Sequence, residues 1–334
     1  MYRRQFFNKR YIDLIVFLFL FIFLIFFFSY LVYLNQGISL NDFQHPLDVD
    51  LYTIYENEYK TSLNKTLIIS PINPTYFHLI LYPKYSCKLF HQFNISPELV
   101  IFVKSSLSNF QSRDNIRKSW GNPNCFRYYG IHSRTLFILG RSNSIHWKYS
   151  NVEKLVIEEH LKYDDIVQYD FIENYHNVTY KLISTLNFAI TQCITTRYLL
   201  LIDDDFMMNP SNLYSTLSQI TETNYPTYIA GDVLHYPYNV YPPYPSGGTI
   251  LLSMPIAQLL SIGLRYTKLL PFEDVVIGLV LYKLGISPIH LDGVFSVRYS
   301  NGHIDKMISI HGFRDNSLFL LGWNKLGLQD ICKA

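Results

Sequence analysis

The sequence predicts an α/β domain built on a mostly parallel central sheet and preceded by a single N-terminal membrane-spanning helix. Three observations carry that expectation. A run of 21 residues, LIVFLFLFIFLIFFFSYLVYL, is apolar almost without interruption. From residue 97 onward, short apolar runs alternate with stretches of helical period, the pattern of strands joined by crossover helices. One of those runs, YLLLIDDDFMMNP over 198–210, drives an apolar strand straight into Asp203, Asp204 and Asp205.

The apolar run comes first. It occupies residues 14–34, and at about 1.5 Å per residue it is long enough to cross a hydrocarbon core of ~30 Å. It is too long for a cleaved leader, and no small-x-small cleavage site follows. Arg3, Arg4, Lys9 and Arg10 precede it, while Asp42, Asp48, Asp50, Glu56 and Glu58 follow it. The bias of positive charge toward the cytosol therefore predicts a cytosolic tail over 1–11, a signal anchor over 12–34 and a lumenal body. The sequons at Asn64, Asn94 and Asn177 agree with that compartment, although Pro97 follows the second. So do Cys87, Cys125, Cys193 and Cys332, for which one or two disulfides are expected and whose spacings match no zinc site.

Residues 35–95 show no sustained period and read as a stem that begins to fold near its end, where LIISPIN and YFHLILYP could form short strands. The folded domain is expected over 96–330. Strands are predicted at ELVIFVKSS (98–106), TLFILGRS (135–142), DDIVQYDF (164–171), RYLLLIDDD (197–205) and TYIAGDV (227–233). The clearest helix is NVTYKLISTLNFAITQC over 177–193, whose Leu182, Ile183, Leu186, Ala189, Ile190 and Cys193 share one face. Cys193 there is either a core residue or half of a disulfide. With a net charge of +2 and 16% charged residues, the chain has no basic surface for nucleic acid.

Three adjacent carboxylates repel one another and lose hydration unless water, donors or a metal ion receive them. They form either an exposed acidic turn before a helix with Asn209 or Ser211 as its N-cap, or a metal site at the carboxyl end of a buried strand, where open α/β sheets bind ligands. A metal held by carboxylates suits a phosphate-bearing substrate. PFEDVVIG (271–278) opens a helical run to Leu284, so Glu273 and Asp274 either complement the helix dipole or include a general base. In YPPYPSGG (241–248), Tyr241 and Tyr244 among prolines, then Gly247 and Gly248, are either a surface turn or a rigid aromatic wall beside a close backbone approach.

Taken together, RDNIRKSWG (113–121), LFILGRS, EEHLKYDDIVQYDFIENYHNVTYK (158–181), IDDDF (202–206), YPPYPSGG and FEDVVIG resemble the β-1,3-galactosyltransferase family in order and rough spacing. That family also contains β-1,3-N-acetylglucosaminyltransferases and is distantly related to the fringe enzymes. The resemblance covers about residues 97–322. It implies a GT-A type nucleotide-sugar fold, Golgi type II topology and inverting transfer from a UDP-sugar to a glycan acceptor on glycolipid or glycoprotein. It further implies Mn²⁺ held by Asp205 and His311, with His303 as the competing histidine, and Asp203 and Asp204 nearer the nucleotide. Asp274 would be the base that deprotonates the acceptor hydroxyl. Glu273, Tyr241, Tyr244, Gly247 and Gly248 would wall the donor or acceptor. Arg113 and Arg117 fit the family's Arg-x-x-Ile-Arg element and either approach the nucleotide or form salt bridges, and Lys181 faces a phosphate or solvent.

Two departures concern substrate choice. The connection LHYPYNV before Tyr241 is shorter than in the family, and Pro245 and Gly248-Thr249 replace the Cys and Gly-Tyr of many galactosyltransferases. UDP-galactose is the expected donor, with UDP-N-acetylglucosamine as the alternative. A degenerate glycan-binding relative is the expectation from another class, opposed by the retention of the triplet, Asp274 and His311.

Overall fold

The computed structural model describes residues 9–34, 48–59, 70–73, 77–85, 87, 96–235, 241–297 and 306–333. Asn64, Asn94, His303, most of the LHYPYNV connection and the first eight residues lie outside that set, as does the first part of LIISPIN. Two units separate. One is helix α1 (Lys9–Leu34), whose apolar window Leu14–Leu31 has a mean hydropathy of 3.0 and buries none of its side chains. The other begins near residue 44 and contains the rest of the described chain.

The expected stem contains helix α2 (Leu51–Tyr59) and strand β1 (Leu79–Leu81). The five expected strands form at β2 (Leu99–Lys104), β3 (Ser133–Arg141), β4 (Ile166–Ile172), β5 (Tyr198–Asp203) and β7 (Ile229–Leu234). Between them lie α3 (Phe110–Arg117), α4 (Asn124–Arg127), α5 (Asn151–Tyr163), α6 (Val178–Gln192), β6 (Phe206–Met208) and α7 (Pro210–Ser218). After β7 come β8 (Tyr244–Ser253), α8 (Met254–Arg265), α9 (Glu273–Leu284), β9 (Ile289–His290), β10 (Val294–Phe295) and β11 (Ser309–His311). Helices α10 (Asn316–Leu326) and α11 (Gln329–Lys333) end the chain.

The main sheet has eight strands in the order β1-β4-β3-β2-β5-β8-β7-β9. Its centre, β4-β3-β2-β5, is parallel, as the alternation of strands and helices predicts. The sheet as a whole is mixed, because β8 lies antiparallel between β5 and β7, and β1 is antiparallel to β4. Strand β8 begins inside YPPYPSGG, where paired Pro and Gly signal a turn, so the sequence hides it. Strand β2 shows the layering. Val100 and Phe102 join a core with Leu182, Ile183, Ile262 and Ile277 from α6, α8 and α9, and Leu51 and Ile54 of α2 join the same core. Leu99, Ile101 and Val103 point the other way, toward Ile116, Trp120, Val156, Leu213 and Phe319. Each fully buried aliphatic or aromatic side chain contributes about 1.5–3 kcal/mol.

Strands β10, β11 and β6 make a separate three-stranded sheet in which His311 pairs with Phe206. Disulfides Cys87–Cys193 and Cys125–Cys332 fasten the segment before β2 to the end of α6, and α11 to α4. Cys193 is thus both core residue and bridge.

Candidate functional site

Strand β5 is buried until it stops at Asp203, and the three aspartates then diverge. Asp203 Oδ1 meets the ammonium of Lys104 at 2.9 Å while its side chain stays 37% exposed. Asp204 turns inward, accepting from Ser105 Oγ at 2.6 Å and Asn109 Nδ2 at 2.9 Å. Burial pushes its carboxyl above the usual range, and those two donors oppose the push. Asp205 Oδ2 faces His311 Nε2 at 3.3 Å and accepts from Arg314 at 2.9 Å. The backbone carbonyl of Asp205 accepts from Gly312 (3.1 Å) and Phe313 (2.8 Å), so the loop after β11 is hung on the triplet itself.

The second acidic group stands at the start of α9. Asp274 is half-buried, and its carboxylate accepts from the Gly247 N–H at 3.3 Å and the Val275 N–H at 2.9 Å. Gly247 and Gly248 make this approach possible. A Cβ on Gly247 would lie 2.9 Å from Glu273 Oε1, and one on Gly248 would lie 2.2 Å from the Phe206 ring. That ring lies 5.1 Å from the imidazole of His311, so Gly248, Phe206 and His311 form one packed column. Ser309 Oγ donates to Thr249 Oγ1 at 2.9 Å and fixes β11 against β8.

Lys104 joins the two acidic groups, and it was not among the residues expected from the sequence. It ends β2 in register with Asp203. Its ammonium binds Asp203, the Gly247 carbonyl (2.7 Å) and Glu273 Oε1. Burial alone would lower its pKa, but the two carboxylates reverse that and raise it. One ammonium faces two carboxylates, and Glu273 Oε2 is buried with no hydrogen-bond partner. Burial therefore pushes the Glu273 carboxyl up to about 7, against the pull of Lys104. The signal that could have exposed Lys104 is a lone cation closing the apolar run LVIFVK.

Several expected site residues occupy other roles. Arg113 is fully buried, and all five of its N–H groups are bonded inside the protein, to Glu159, Ser105 Oγ and the carbonyls of Ser106 and Leu107. Arg117 binds Glu159 and both oxygens of Asp165. Both arginines form the salt bridges that were the alternative reading, and Arg113 shapes the loop carrying Ser105. Tyr244 is only 4% exposed, against Gly278 of α9, so it packs the sheet against that helix and is no exposed wall. Tyr241 is half-buried, and Glu273 is buried beneath Gly247. Lys181, expected to face a phosphate or solvent, is buried and donates to the Ser105 carbonyl (2.6 Å) and Glu173 (2.7 Å). Asn177 is half-buried and donates to the Ile172 carbonyl at 2.9 Å.

An open cleft of about 360 Å³ is lined by Lys104, Ser105, Asn109, Lys181, the three aspartates and Arg314. Among the described residues, no three His, Cys, Asp or Glu side chains gather as a complete metal cage. Asp205 with His311 offers one carboxylate and one imidazole. That set fits a divalent ion that takes its remaining ligands from water and substrate phosphate. The position of Arg314 shows that a cation reaches Asp205 Oδ2 from the cleft side.

The family model described as Galactosyltransferase matches residues 111–235 and 232–292. Beta-1,3-galactosyltransferase 1 of Mus musculus is 30% identical over 275 residues, covering 77% of this chain and 80% of that protein. Lactosylceramide 1,3-N-acetyl-beta-D-glucosaminyltransferase of Homo sapiens is 27% identical over 237 residues, covering 64% and 62%. Among solved structures, the bifunctional glycosyltransferase WbbM aligns over 71% of this chain and 51% of its own, with a TM-score of 0.41 and 10% identity.

Proposed function

The chain belongs to the galactosyltransferase family and is a hexosyltransferase, and from that premise we propose that it transfers galactose from UDP-galactose to an acceptor sugar hydroxyl in β-1,3 linkage. The reaction is a single inverting displacement on a GT-A type domain, carried in the Golgi lumen by a type II membrane protein. One observation supports this reading above the others. Lys104 binds Asp203 and Gly247 together, and Gly247 in turn holds Asp274, so two acidic segments distant in sequence are tied to each other.

Asp205 and His311 would hold Mn²⁺, which when bound supplies Lewis-acid stabilisation of the negative charge leaving with UDP. Asp274 removes the acceptor proton. Its carboxylate is aimed by two backbone N–H groups, and a base so positioned is worth about 10²–10⁴ in rate. Lys104 is a positioning residue. It holds the Gly247 backbone against α9 and so keeps Asp274 at a fixed place relative to the triplet. Asp204, satisfied by Ser105 and Asn109, holds the β2 loop that floors the cleft.

The test is UDP release by the full-length chain in detergent with Mn²⁺, UDP-galactose or UDP-N-acetylglucosamine, and a panel of glycan acceptors. Acceptor-dependent release with UDP-galactose is expected. Asp274→Asn should lower it about 10²–10⁴-fold, and Asp205→Ala should abolish it. Release with UDP-N-acetylglucosamine instead would move the chain toward the donor named for its second relative. Undiminished turnover in Asp274→Asn would remove Asp274 from the role of base.

A further inference from the structure

The cleft wall contains three cationic side chains, and they are not equivalent. Lys104 and Lys181 are buried and bonded to carboxylates and carbonyls of the protein. Arg314 is 79% exposed, and among the described residues its guanidinium is bonded to Asp205 alone. It binds the same oxygen, Oδ2, that faces His311. A divalent cation shared by Asp205 and His311 would lie within a few ångströms of that guanidinium and repel it.

We propose that Arg314 is a switching counter-cation: it neutralises Asp205 until a divalent cation takes that oxygen, and then turns to the diphosphate of the nucleotide. The inference rests on the metal role proposed above for Asp205 and His311. The backbone already suits such a switch. Gly312 has a φ of +106°, open to glycine, and the N–H groups of Gly312 and Phe313 are held by the Asp205 carbonyl. The chain at Arg314 is thus anchored to the metal-ligand residue while its side chain reaches into solvent. Only side-chain rotation is needed, and a released guanidinium at the cleft mouth can grip phosphate oxygens in bidentate fashion.

Calorimetric titration of the full-length chain in detergent tests this without turnover, first with MnCl₂ alone and then with UDP at saturating Mn²⁺. Arg314→Gln removes the competitor, so Mn²⁺ should bind about two- to fivefold tighter, the scale of an exposed ion pair. UDP should then bind about tenfold more weakly, because a charge-assisted bidentate contact is lost. Arg314→Lys keeps the charge and loses the fork, so its Mn²⁺ affinity should stay within about twofold of wild type while UDP still weakens a few-fold. Unchanged Mn²⁺ or UDP affinity in Arg314→Gln, with Mn²⁺ binding lost in His311→Ala, would overturn the switch and leave the metal site standing. Failure of Mn²⁺ to bind the wild type at all would overturn both.

Discussion

At the scale of single residues, the site depends on one buried ammonium serving two carboxylates. At pH 8, where Glu273 is ionised, Lys104→Met would leave it buried without its cation, and breaking a buried pair from one side costs about 3–5 kcal/mol. Denaturant unfolding followed by tryptophan fluorescence should show that loss, since Trp120 and Trp323 are buried in the same unit. Wild-type stability in this variant would mean that Lys104 is not the tie described. Glu273 gives a pH signature. Its carboxyl keeps its proton in the fold up to about 7, against 4.5 for the ordinary group. Between those values the native state binds more protons than the unfolded chain, so stability is fully present below the lower value and is lost as pH rises through the upper one. Glu273→Gln should flatten that dependence, with a difference of roughly 1–3 kcal/mol across the window. Equal slopes for both proteins would refute it.

At the scale of elements, Gly248 sets how closely β8 approaches β6. Gly248→Ala would drive a methyl group into the Phe206 ring, which packs on His311. Overpacking of that kind costs about 1–3 kcal/mol. Because the strain is passed to a metal-ligand candidate, the variant should also show a smaller rise in Tm with Mn²⁺ than wild type does. An undiminished rise would separate the column from metal binding. The same strand marks the boundary of what sequence can convey. The five expected strands and the helix after Asn177 were legible because their apolar period persists over whole elements. Strand β8 was not, since Pro245, Gly247 and Gly248 serve a close packing that only the tertiary neighbours require. Helix α2 has two deeply buried residues, Leu51 and Ile54, too few to declare a period. His311 entered only through the family resemblance, whereas the triplet and Asp274 could be singled out as candidates because clustered acids carry chemical meaning by type. Lys104 and Arg314 could not, because their roles come from which carboxylates they meet in space.

At the scale of the whole molecule, the disulfides and the apolar helix bear on one prediction, the side of a membrane on which the body lies. The two disulfides close loops with sequence separations of 106 and 207, and together they use all four cysteines. Bridges of this kind persist in oxidising compartments and typically contribute 2–5 kcal/mol each when native to a secreted domain. Helix α1 exposes every side chain of Leu14–Leu31, an apolar surface that water does not tolerate over such a length. Basic residues precede that helix and acidic residues follow it, so the body should be translocated and the tail retained in the cytosol. Expression in cells that yield sealed microsomes tests this orientation directly. Protease added outside should trim only the short tail and leave a protected fragment carrying both disulfides, visible as a reductant-dependent shift in mobility. Detergent should abolish the protection. Degradation of the body in sealed vesicles would place it in the cytosol and overturn this orientation.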